Sequence, residues 1–197
     1  PRGRGPRRGT GSGLGPPVAG IGHMSDRIVI ISSDTHAGLR PERYRDYVDP
    51  KYRETFDIAL PIQTEEIKKS AKKFLVDESN AEWRKGHEDQ LEGAWDSSMR
   101  IEVLEGDGCS GEVIFPDGVT EMNTPPFGAG LSLPTEGIDP ELQWAGARAH
   151  NRWLAEFCAE VPERRAGMAI VLIWDIDEAV AEVRWARSNG LRGILLP

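Results

Sequence analysis

Cysteine is scarce in this chain, and long hydrophobic runs are absent. The 197 residues include two cysteines, Cys109 and Cys158, whose spacing fits neither a zinc knuckle nor a redox motif. We therefore expect both to be reduced thiols in the core. No uninterrupted apolar run approaches about 18 residues, and no signal-peptide core is present, which predicts a cytoplasmic chain without a membrane partner.

Acidic residues are missing from residues 1–23, which contain four arginines, eight glycines and four prolines. Such a composition is typical of disorder, and we interpret this head as translated upstream sequence or an expression remnant. A nucleic-acid-binding arm is the alternative, although four arginines make a thin phosphate-binding footprint. Subtracting the head's +4 from the chain's −8 leaves −12 on residues 24–197, which disfavours nucleic acid and favours a small-molecule substrate.

A short apolar run stands directly before a carboxylate and an imidazole. The run Ile28-Val29-Ile30-Ile31 is too short for a helix core and predicts a strand buried on both faces. Side chains two apart in a strand point the same way, so Asp34 and His36 should converge at its C-terminal end. This donor pair suits zinc, with manganese or iron as alternatives. A turn in which Asp34 caps a helix and His36 lies on the surface explains residues 28–38 about equally well.

Apolar strands and amphipathic helices alternate along residues 24–197. Helices are predicted over about 64–75 and 87–104, and further helices start at Asp139-Pro140 and at Asp175, with strands near 28–33, 111–116, 168–173 and 192–196. This alternation predicts an α/β fold whose four strands lie parallel and in sequential order.

A glycine-rich segment matches a nucleotide-binding pattern in letters only. Residues 106–111 read G-x-G-x-x-G, but they follow a helix and open a strand, the reverse of a dinucleotide-binding turn. We interpret them as a helix stop and a tight turn. The glycine- and proline-rich segment at about 117–138 is long for a connection in a compact domain, which is typical of functional or mobile loops.

Four segments in this order resemble a known family: Ser33-Asp34-Thr35-His36, Asp107-Gly108 leading into 112–116, residues 151–158, and residues 190–197. Together they are similar to the amidohydrolase-related metal-dependent hydrolases, the branch of the amidohydrolase superfamily that includes aminocarboxymuconate-semialdehyde decarboxylase. The resemblance implies a (β/α)₈ TIM barrel, of which residues 24–197 would supply the first four β/α units, a half barrel.

The same resemblance implies a divalent metal, zinc in the first place, held by Asp34 and His36. The family commonly has His-x-His here, so Asp34 departs from that pattern and shifts the preference toward harder ions. The implied activity is hydrolysis or decarboxylation of a small carboxylated or cyclic substrate. The remaining ligands and the acid–base residues are expected beyond Pro197, so no catalytic residue is assigned. The isolated chain is expected to be inactive, and the full-length form is expected to be a homo-oligomer.

Other polar positions follow the second and third predicted strands. Asp117 and Trp174 are candidate substrate contacts, because substrates bind at the C-terminal face of such barrels. Asp175 is better explained as a helix cap than as a catalytic group. His87 and His150 lie within helical patterns and are expected to be structural or exposed.

Two rival functions remain open. A calcineurin-like metallophosphoesterase also begins with a strand and Asp-x-His, but it needs a later Gly-Asp-x-x-Asp and a Gly-Asn-His, and neither occurs in the sequence. The other rival is a non-catalytic half-barrel fragment that binds no metal by itself.

Overall fold

Four parallel strands form one sheet in the order β1-β2-β3-β4. The computed structural model describes residues 28–74, 82, 84–116, 123–130 and 139–196. The strands are β1 (Ile31–Ala37), β2 (Gly111–Pro116), β3 (Arg165–Ile170) and β4 (Gly193–Leu195). All three neighbouring pairs are parallel. The predicted α/β class and the sequential parallel order are therefore confirmed.

Helices connect these strands. They are α1 (Arg53–Phe74), the single turn α2 (Glu88–Leu91), α3 (Ser97–Gly106), α4 (Pro140–Ala159) and α5 (Ile176–Ser188), with short 3₁₀ turns at Pro41–Asp46, Pro50–Tyr52, Glu92–Ala94 and Pro126–Gly128. Among the described residues no helix is long and apolar enough to cross a membrane.

Helices α3 and α4 pack on one face of the sheet. Arg100 of α3 contacts Glu112 of β2, and Leu154 and Cys158 of α4 lie against Gly167 of β3 so closely that a Cβ there would meet sulfur at 2.8 Å. Ile114 shares that face and is fully buried. A helical layer on this face of a parallel sheet is compatible with part of an α/β barrel.

Aspartate caps fix the starts of three helices. Asp96, Asp139 and Asp175 accept hydrogen bonds from the backbone amides of Met99, Glu141 and Glu178, respectively. The starts predicted at Asp139-Pro140 and Asp175 are confirmed. These side chains satisfy amides that lack a partner in the first helical turn.

Two predicted helices have different bounds. Helix α1 begins at Arg53 rather than near residue 64, and Thr64 lies inside it, donating to the carbonyl of Leu60. The helix expected over 87–104 is interrupted at Trp95, after which Asp96 caps α3. The buried residues of α3 are Arg100 and Leu104.

The first strand is displaced from its predicted position. Ile28, Val29 and Ile30 precede it, and with Ile31 they are 48–82% exposed, so the prediction of a strand buried on both faces is wrong. The pairing partner explains the displacement, because β2 begins at Gly111, which pairs with Ile31. β3 likewise runs over 165–170 rather than 168–173.

The main core lies between the sheet and α4. Its members include residues from β2, α4 and the turn at Pro41–Asp46, among them Tyr44, Ile114, Trp153, Leu154 and Phe157. Cys158 is a buried free thiol, as expected, and burial raises its pKa to about 11. A thiol held protonated in this way is a poor nucleophile and behaves as a packing group.

Candidate metal-binding site

The structure brings Asp34 and His36 together on β1. The His36 Nε2 atom lies 3.6 Å from Asp34 Oδ1. That separation is too long for a hydrogen bond. It is close to the distance of about 3.4 Å expected between two ligand atoms bound about 2.1 Å from one tetrahedral ion.

A backbone carbonyl orients the imidazole. His36 Nδ1 lies 2.9 Å from the carbonyl oxygen of Pro116, the last residue of β2. A carbonyl accepts only, so in the neutral imidazole Nδ1 carries the hydrogen and the lone pair of Nε2 lies on the side of Asp34. This is the arrangement in which metal-binding histidines are commonly held.

The pair is open to solvent. The side chains of His36 and Asp34 are 37% and 82% exposed, and the ring of Phe115, which pairs with His36 across the sheet, lies 6.2 Å away between centroids. Within the described residues no group of three or more histidine, cysteine, aspartate or glutamate side chains is arranged to hold a metal. The two donors thus fit a divalent ion, while a catalytic zinc usually has three protein ligands.

A β-bulge lies beside this pair. Ser32 pairs with Glu112 and Thr35 pairs with Ile114, so three steps along β1 oppose two along β2. Asp34 lies within the bulged segment, and bulges of this kind commonly redirect a side chain beside a functional site.

On the opposite face of the sheet lies a buried charged cluster that the sequence reasoning missed. Glu112 of β2 has a fully buried side chain and accepts from Arg100 Nε and Nη2, the shortest contact being 2.7 Å. Thr35 also donates to Glu112, at 2.9 Å. The sequence contains two signals of this cluster, a glutamate within an apolar strand and an arginine within the apolar stripe of a helix. Charged side chains are rarely buried without a partner, so two such residues of opposite charge indicate a buried ion pair.

A second arginine borders the same carboxylate. Arg165 Nε lies 3.7 Å from Glu112 Oε1, and its side chain also donates to the carbonyls of Phe157 and Ser97. Its guanidinium lies over the Phe157 ring at 4.1 Å. Burial lowers the pKa of Arg165, against the raising effect of Glu112.

The remaining candidates lie elsewhere or outside the described residues. Trp174 is 48% exposed, and its indole donates to Gln143 of α4 at 3.1 Å. Asp175 caps α5, as expected. Asp117, the other candidate substrate contact, lies outside the described residues, as do residues 1–23.

The segment at 106–111 ends α3 and turns into β2 with Gly108 at φ +71°, as interpreted from its glycines.

Both remaining histidines are in helical surroundings. His150 of α4 is fully buried, with Nδ1 2.9 Å from the Tyr44 hydroxyl, and burial lowers its pKa to about 3. His87 is half-buried beside α2. The structural interpretation is right for His150, which the aromatic core holds in its neutral form.

Comparison with solved structures gives a partial likeness. No family model matches the sequence, and no curated protein matches it. Among solved structures the chain is similar to an amidohydrolase from Mycobacterium avium subsp. paratuberculosis K-10, with 24% sequence identity and a TM-score of 0.40. The match covers 53% of this chain and 25% of that one, so it spans about a quarter of that protein's length.

Proposed function

We propose that this chain contributes part of the active site of a metal-dependent hydrolase of the amidohydrolase type. The observation that supports this most directly is the 3.6 Å separation of His36 Nε2 and Asp34 Oδ1. The resemblance of the four sequence segments and the sequential parallel order of the strands agree with the proposal. In it, the sheet is the first half of a (β/α)₈ barrel.

Asp34 and His36 would hold the ion through Oδ1 and Nε2. A divalent ion bound there, zinc in the first place, would lower the pKa of a bound water to about 7. The protein's own groups prepare for this in two ways. The Pro116 carbonyl keeps the proton on Nδ1, away from the ligand atom, and Asp34 supplies a negative charge that favours a cation.

The substrate is proposed to be a small carboxylated or cyclic molecule, hydrolysed or decarboxylated. Both reactions need the first-strand pair, so this pair does not distinguish them. The acid–base residue and the further ligands are proposed to come from additional strands of the complete barrel. Trp174, exposed beyond the end of β3, remains a candidate substrate contact.

The proposal can be tested by metal titration of the 197-residue chain. Isothermal titration with Zn²⁺ and Co²⁺ should show one site that weakens at least tenfold in Asp34→Asn and in His36→Gln, since each variant removes a ligand. Asp175→Asn and His87→Gln are matched controls, because they change the same residue types away from the pair, and they should bind as the unmodified chain does. Equal stoichiometry and affinity in all five proteins would contradict the proposal.

A further inference from the structure

We propose that Arg100 is a positioning residue for the Asp34–His36 pair, acting from the opposite face of the sheet. Arg100 Nη1 donates to the backbone carbonyl of His36 at 3.0 Å, and Nη2 donates to the Thr35 hydroxyl at 3.0 Å. One guanidinium thus holds two consecutive residues of β1. The inferred effect on metal affinity rests on the proposed function, whereas the effect on the His36 ring does not.

The bulge explains why β1 needs such a support. Between Ser32 and Thr35 the regular pairing with β2 is lost, and bulged segments have a disrupted ladder of hydrogen bonds. Thr35 and His36, which follow the bulge, pair again with Ile114 and Phe115, and additional side-chain contacts at these residues help to fix where the ladder resumes. Arg100 supplies those contacts at Thr35 and His36, directly after Asp34.

Arg100 is itself held rigidly. Glu112 binds it through Nε and Nη2 at 2.7–3.0 Å, and the carbonyl of Gly93 accepts from Nη1 at 3.0 Å. A planar guanidinium can make these contacts together because its five N–H groups lie in a fixed fork. A lysine at this position keeps the charge opposite Glu112 but cannot reproduce the fork.

Arg165 provides a natural control for the buried charge. It borders the same Glu112 carboxylate and is also buried, yet its side-chain hydrogen bonds go to Phe157 and Ser97, and none joins it to β1 among the described residues. A role in packing or charge balance would apply to both arginines. A role in positioning the pair would apply to Arg100 alone.

The experiment reads the His36 imidazole directly in the metal-free chain. Long-range ¹H–¹⁵N NMR spectra should show the Nδ1-protonated form in the unmodified chain, because Nδ1 donates to Pro116. Arg100→Lys should shift His36 toward a mixture of the two tautomers and weaken Co²⁺ binding about tenfold, the usual effect of losing a group that orients a metal ligand. Thr35→Val, which removes the hydroxyl that contacts Arg100, Glu112 and Val113, should change both readings in the same direction. Arg165→Lys should leave both unchanged.

The possible outcomes distinguish the positioning role of Arg100 from the proposed metal-binding function. A His36 spectrum and a Co²⁺ affinity that are the same in Arg100→Lys, Thr35→Val and the unmodified chain would overturn the positioning role and leave the metal site standing. Absence of Co²⁺ binding by the unmodified chain would overturn the proposed function. The NMR spectra would still test whether Arg100 orients the His36 ring. If Arg100→Lys does not fold, Thr35→Val is compared with Thr35→Ser, which keeps the hydroxyl that accepts from Arg100: a change in Thr35→Val alone supports the positioning role, and equal readings in both variants overturn it.

Discussion

At the scale of single residues, burial controls the protonation of the core histidine. His150 lies between Tyr44 and Trp153, with ring centroids 6.0 and 5.5 Å away, and burial lowers its pKa to about 3 from a usual value of 6.5. The folded protein therefore keeps this ring neutral, while the unfolded chain binds a proton as the pH falls below 6.5. Binding of that proton stabilises the unfolded state relative to the folded state.

The free energy of unfolding should consequently fall with decreasing pH. Between about pH 6 and pH 5 the His150 contribution should fall by roughly 1.4 kcal/mol per pH unit, the value of one proton taken up only on unfolding. Urea denaturation at several pH values measures this. In His150→Gln the slope over this interval should be smaller by that amount, and in Tyr44→Phe it should be retained. An identical slope in His150→Gln would contradict the buried neutral state.

Some features of the candidate site could be predicted from the sequence, and others could not. The two-residue spacing of Asp34 and His36 was enough to predict their proximity, because it depends only on strand geometry. The contacts of Arg100 with β1 were not predictable, since they join residues 64 and 65 positions apart. No local pattern shows which distant carbonyl a buried arginine will reach.

At the scale of elements, one glycine sets how closely α4 approaches a neighbouring turn. A Cβ placed on Gly146 would lie 2.0 Å from the carbonyl oxygen of Pro126 and 3.2 Å from the Cβ of Ala129. The obstacle is backbone, which cannot rotate away as a side chain does. Helix α4 and the turn Pro126–Gly128 must therefore separate if this position carries a side chain.

Gly146→Ala should destabilise the protein by about 3 kcal/mol or more, the upper range for overpacking a tight site, despite the better helix propensity of alanine. Gly106→Ala is the matched control, because that glycine also lies in a helix but has nothing within 4 Å of a built Cβ. Its stability should be unchanged or slightly greater. Thermal denaturation of both variants compares them, and a Gly146→Ala protein as stable as Gly106→Ala would show that the approach is not tight.

The elements themselves were predictable where their signals are local. Aspartate caps gave the starts of α4 and α5, and alternating apolar segments gave the number and order of the strands. The start of β1 and the break before α3 were not, because the first depends on where β2 offers a partner and the second on how the turn Glu92–Ala94 packs. Where the local strand propensity does not fix the bounds of a strand, pairing with the neighbouring strand determines them.

At the scale of the whole molecule, an apolar groove lies beside the last strand. It has a volume of about 270 Å³. Its lining comes from α5, from the segment between β3 and α5, and from β4 with the residue after it, and includes Ile173, Ile176, Val180, Ile194 and Leu196. Several of these side chains are more than half exposed. Exposed apolar patches beside an unpaired strand edge promote association.

The 197-residue chain should therefore self-associate at micromolar concentration and bind a hydrophobic dye. Ile176→Lys, at a groove position that is 67% exposed, should reduce both effects by placing a charge in the patch. Ile58→Lys is the control, because Ile58 is 64% exposed on α1, outside the groove. Sedimentation velocity measures the association. Equal behaviour of the two variants would show that the groove is not the associating surface.

The buried cluster on the helical face of the sheet has a consequence for how this sequence can evolve. Arg100, Glu112 and Arg165 come from α3, β2 and β3, and their two positive charges share one carboxylate. Losing Glu112 alone would leave two buried guanidinium groups without their counter-charge, a change that commonly costs about 3–5 kcal/mol. A replacement of Glu112 is therefore tolerated only together with changes at both arginines, so these positions drift as a group rather than one at a time.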